Sequence, residues 1–76
     1  MFFSLTIVRE GYESIEIINM DSETSISDIK FLIKLFTGVP IEKQKIRHHG
    51  VDLLVEDLFH YQITESSEII LDLIDH

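Results

Sequence analysis

The tripeptide Gly38-Val39-Pro40 constrains this chain more than any other feature, because it ends a helix and turns the backbone at one place. Glycine readily takes the left-handed conformation past a helix C-terminus, and proline cannot continue the helix. The helix that stops there should begin near Ile26 and end by Thr37. The polar run Asp21-Ser22-Glu23-Thr24-Ser25 closes on good N-cap residues, and Ser25 with Asp28 has the spacing of a capping box with aspartate in place of glutamate. At about 100° per residue, Ile26, Ile29 and Ile33 gather on one side as a buried stripe, with Lys30 at its edge.

On both sides of the helix the period changes from helical to alternating. Phe3, Leu5 and Ile7 alternate with Ser4, Thr6 and Val8, and Arg9-Glu10-Gly11 supplies a turn. Ile15 and Ile17 then alternate with Ser14, Glu16 and Ile18, so the first two strands read as a hairpin. After Pro40, the segment Lys45 to His49 has the length of a third strand, Gly50 turns it, and Asp52 to Val55 reads as a short fourth. Leu58 to Tyr61 fits a helical turn, and Glu65-Ser66-Ser67 a loop. In the closing strand Ile69, Leu71 and Leu73 alternate with Ile70, Asp72 and Ile74. The expected architecture is α+β: a mixed four- to five-stranded sheet packed on one helix, as a single domain over residues 1–76.

The middle of the chain carries a family resemblance. Gly38-Val39-Pro40-Ile41-Glu42-Lys43-Gln44-Lys45-Ile46 leads into Arg47-His48-His49-Gly50-Val51-Asp52-Leu53, followed by Leu58, Tyr61 and Ile63. This order resembles ubiquitin and its relatives: a helix ended by glycine, a Gly-Val-Pro turn, a glutamine segment, a strand, a glycine turn, then Leu-x-x-Tyr-x-Ile. The resemblance implies the β-grasp fold of that family. It also implies a lysine at position 30 set partly buried against acidic groups, with Glu56 or Asp57 as its partner; a solvated Lys30 is the alternative. The sequence closes on Leu73-Ile74-Asp75-His76, without the two glycines of the family's conjugated members, so the expectation is a non-conjugating member.

Charge and composition narrow the function classes. Fourteen acidic residues against six basic ones give a net charge of −8, which repels phosphate backbones and anionic lipid and argues against nucleic acid and membranes as partners. The excess acid serves solubility, or it steers a basic partner. No cysteine is present, so there is no disulfide framework, thiol nucleophile or thiolate metal site. No apolar run reaches the roughly eighteen residues of a membrane span and no basic leader opens the chain, so the expected location is the cytosol or nucleus. A domain this small has little interior left for a pocket once its core is filled. The chain is read as neither an enzyme nor a cofactor binder. His48 and His49, adjacent on a strand, should point to opposite faces and so not share a metal ion; His60 and His76 stand apart in sequence.

Two surfaces remain as candidates for binding other proteins. By the resemblance, ubiquitin presents a compact apolar patch on its sheet, and here Arg47 stands at the patch's central isoleucine, Ile70 at its histidine and Asp72 at its valine. The loop that would add a leucine carries Arg9 and Glu10. A charged surface replaces the apolar one, with Arg47, His49, Ile70 and Asp72 as its partner-facing residues and an Arg47–Asp72 ion pair as one arrangement. The second surface comes from helical register alone: Phe31 and Leu35 lie opposite the buried stripe, with Leu32 and Phe36 on the flank at the margin of the core. Phe31 and Leu35 are expected to meet a partner, another copy, or a neighbouring domain. The expected function is an adaptor-type ubiquitin-like interaction module that meets ubiquitin-receptor, proteasome or ligase components. The alternatives are a structural subunit of a large assembly and a modifier.

Overall fold

The computed structural model describes residues 2–74. Asp75 and His76, on which the reading of the C-terminal end partly rests, lie outside them. Strands β1 (Phe3–Val8) and β2 (Ile15–Met20) form an antiparallel hairpin, helix α1 spans Ile26–Thr37, and β3 (Gln44–His48), β4 (Val51–Asp52) and β5 (Ser67–Leu73) complete the sheet. The strand order is β2-β1-β5-β3-β4, with β1 and β5 parallel at the centre and the other pairs antiparallel. Short 3₁₀ turns cover Ile41–Lys43 and Phe59–Tyr61.

The helix forms where its terminal signals place it. Ser25 Oγ accepts a hydrogen bond from the Asp28 N–H at 3.1 Å, and Gly38, at φ 78°, donates its N–H to the Lys34 carbonyl at 2.8 Å. Each of these bonds satisfies a backbone group that a helix end would otherwise leave open. Ile26, Ile29 and Ile33 are all buried against the sheet, each stabilising the fold by about 1.5–3 kcal/mol relative to exposure. Leu5 and Ile7 of β1, Ile46 of β3, and Ile69 and Leu71 of β5 face them from the sheet.

A long return segment closes one end of the core. Leu53, Leu58 and Ile63 insert into it, and three backbone bonds fasten the segment to the helix entrance: Ile26 N–H to the Glu56 carbonyl, Leu58 N–H to Thr24, and Phe59 N–H to Ser22, at 2.8–3.0 Å. Gln44 does the same at the other end of the helix. Its side-chain amide, buried beside the core, donates to the Lys30 and Val39 carbonyls at 2.9 and 3.1 Å.

Several local expectations are corrected. Strand β4 is Val51–Asp52 rather than Asp52–Val55, because His49 and Gly50, both at positive φ, make a two-residue turn that brings Val51 opposite His48. The same turn ends β3 at His48. In β2 the alternation breaks at Asn19, whose left-handed φ of 63° accompanies a register shift against β1 and turns Met20 inward. Leu73 does not join Ile69 and Leu71 in the core. It is half exposed at the strand end, paired with Gln44.

Candidate protein-binding surfaces

The outer face of the sheet follows from register, since cross-strand partners share a face. Arg47 of β3 lies opposite Ile70 of β5 on one side and Asp52 of β4 on the other, while Lys45 lies opposite Asp72. Arg47 reaches diagonally to Asp72, with Nη2 at 2.6 Å from Oδ2. The side chains are 39% and 44% exposed, so solvent screens the pair and its contribution to stability is small, about 0–1 kcal/mol. Four alternating charges, Lys45, Asp72, Arg47 and Asp52, thus run across three strands. Ile70, opposite Val8 of β1, leaves only a narrow apolar strip beside them. Lys45 is part of this row although the sequence reading singled out only Arg47; period-two spacing from Arg47 was the signal. Asp52 followed only once the turn at His49 fixed the register.

His49 does not stand with that group. It leaves the strand at φ 51°, and its ring stacks on that of His48 with centroids 4.1 Å apart and planes 12° apart. The expectation that the two rings point to opposite faces is therefore overturned: strand alternation ends at His48. The parallel rings aim their nitrogens alongside one another rather than at one point. They border, with His60 and Tyr61, a shallow depression of about 520 Å³, and no group of three or more metal-ligating side chains is assembled among the described residues. Burial lowers the His48 pKa below the ordinary histidine value of 6.5, and the neighbouring His49 charge lowers it further.

The family-implied acidic partner of Lys30 is also absent from the contacts of the described residues. Asp57 instead accepts the His60 N–H at 2.9 Å, and Glu56 contributes its backbone carbonyl to Ile26. The Asp57 carboxylate thus caps the turn at His60.

On the helix, Phe31 and Leu35 are 49% and 64% exposed, as their position opposite the buried stripe requires. Leu32 packs on the core margin, as expected. Phe36 does not: it is 59% exposed. Its angle on the helix lies nearer the buried stripe than that of Leu32. Beneath it, however, the last turn overhangs a cleft between helix and sheet that no side chain among the described residues fills. Two large apolar side chains thus stand on the outer helix face, with a third, Phe36, exposed on its flank, against one on the charged part of the sheet.

No protein-family model and no curated protein matches the sequence. The structure is similar to the ubiquitin-like domain of an Arabidopsis thaliana protein, solved in solution by NMR, with a TM-score of 0.88 and 23% identity over 99% of this chain and 80% of the other. At this identity the likeness speaks for the fold. With one helix on a five-stranded mixed sheet, and that backbone shared over nearly its whole length, the chain has the ubiquitin-like β-grasp fold.

Proposed function

We propose that this chain is an adaptor-type protein-interaction module that engages its partner through the outer face of α1 rather than through the sheet. The observation that carries this reading is the exposure of Phe31 and Leu35 opposite the buried stripe, with Phe36 exposed on the flank. An uncovered apolar helix face favours association, because removing it from water is favourable. The sheet offers less. A receptor for an apolar surface would have to desolvate the Arg47–Asp72 pair, and that cost offsets what Ile70 contributes. Partners in the ubiquitin–proteasome system, among proteasome or ligase components in cytosol or nucleus, belong to this reading through the fold alone.

The test is affinity capture from native lysate with the wild-type chain, Arg47→Ile, and Phe31→Ser/Leu35→Ser, together with solution mass by light scattering. The expected result is that the helix-face double variant loses captured proteins that wild type retains, while Arg47→Ile gains receptors of apolar ubiquitin surfaces. Unchanged capture and unchanged mass for the double variant would sink the proposal. Recovery of one fixed stoichiometric complex would assign the helix face to a permanent assembly instead of a transient adaptor.

A further inference from the structure

Between the last turn of α1 and the turn joining β1 to β2 lies a cleft of about 220 Å³. Its deepest residues are Ile7 and Leu71, both buried, with Ile15 along one side. Tyr12 and Phe36 stand at the mouth and are 65% and 59% exposed. Two charges complete the lining. Arg9 holds its guanidinium 4.0 Å from the centroid of the Tyr12 ring, an arrangement that engages the cation within the chain. Glu13 has no cation within ion-pair distance among the described residues.

We propose that this cleft is an anchor site for one large apolar side chain of a partner protein, and that a lysine or arginine beside that side chain in the partner meets Glu13. The volume sets the size of the occupant: it falls below the roughly 300–1,000 Å³ of small-molecule sites and suits a single side chain. An apolar floor with aromatic side chains at the mouth is the environment in which interface anchors concentrate binding energy, and the Tyr12 and Arg9 pair supplies residue types enriched there. Charge sets the neighbour. An unpaired carboxylate on a chain of net charge −8 attracts a basic segment and repels an acidic one. Phe36 belongs both to the cleft mouth and to the outer helix surface, so one partner can cover the helix while inserting its anchor. This inference deepens the interaction reading and rests on it only in taking the occupant to be a protein.

The experiment is selection from a display library of random twelve-residue peptides against the 76-residue chain, followed by affinity measurement on Phe36→Asp, Glu13→Lys and Phe31→Ser/Leu35→Ser. Thermal melts establish that each variant is folded; all four of the positions are exposed, so none removes core packing. Selected peptides are expected to carry Leu, Met, Phe or Trp next to Lys or Arg and to shift the amide resonances of Tyr12, Ile15 and Phe36. Phe36→Asp should weaken them by about tenfold or more, on the scale of losing an interface anchor. Glu13→Lys should weaken them by up to about fivefold, the scale of one exposed ion pair. The Phe31→Ser/Leu35→Ser chain should bind them within about twofold of wild type. No enrichment, enrichment of acidic peptides, or binders indifferent to Phe36→Asp and Glu13→Lys would each overturn the proposal. Binders sensitive only to Phe31→Ser/Leu35→Ser would overturn the cleft and leave the helix face standing.

Discussion

The outer face of the sheet and the outer face of α1 are built from the same chain yet leave opposite things undone. On the sheet, Lys45, Asp72, Arg47 and Asp52 alternate in sign across neighbouring strands, and Arg47 closes on Asp72. On the helix, Phe31, Leu35 and Phe36 are exposed with nothing over them among the described residues. Matched charges in water contribute little on their own and oppose a wrong partner. Unmatched apolar area retains the driving force for association. On the proposed reading, specificity belongs to one surface and affinity to the other.

The largest expected effect tests whether the helix really has one committed side. Ile33→Ala should cost about 2–5 kcal/mol in denaturant unfolding, since Ile33 is buried and leaves a cavity. Leu35→Ala, two residues on, should stay within about 0.5 kcal/mol of wild type. Equal costs would mean that the outer face is packed and the contrast is false. Next come the helix ends on which both surfaces depend. Gly38→Ala, forced to keep a left-handed φ of 78°, should lose about 1–2 kcal/mol, and Ser25→Ala, which removes the bond to the Asp28 N–H, about 1 kcal/mol.

A double-mutant cycle on Arg47 and Asp72 sharpens the sheet side of the comparison. The expected coupling is about 0.2–1 kcal/mol, falling as salt is raised, because both side chains are more than a third exposed. A coupling of several kcal/mol, insensitive to salt, would show a structural pair instead of a surface one. The smallest effect is one of pH. With the His48 pKa lowered by burial and by His49, the unfolded chain binds more protons than the folded one below the ordinary value of 6.5. The stability from this group is complete above that pH and is lost as pH falls from it toward the lowered folded value. Chemical denaturation from pH 7.5 to 5 should show this slope, and His48→Gln should flatten it.

Much of the fold was legible because its signals are local. Ser25 and Gly38 bound the helix through bonds to residues a few positions away, Pro40 bars its continuation, and Ile26, Ile29 and Ile33 mark its inner side by spacing alone. The same spacing placed Phe31 and Leu35 outside. The misreadings occur where local period meets something non-local. His49 reads as strand until a turn takes it, and its ring then lies on His48. Leu73 keeps the alternation of β5 but is half exposed at the strand's end. Phe36 has the angle of a core residue, yet the layer beneath it is open.

By itself, the sequence determined the order of strands and helix, the ends of α1, its buried stripe, and the exposure of Phe31 and Leu35, because capping and periodicity act between residues near in the chain. The tertiary structure alone decided that β5 runs parallel to β1 at the sheet's centre, that Arg47 reaches Asp72 across 25 positions of sequence, that Asp57 turns to the His60 N–H rather than to Lys30, and that a cleft remains beneath Phe36. Those outcomes depend on register and on how completely two packed layers fill the space between them, and neither quantity is written in any one stretch of the chain.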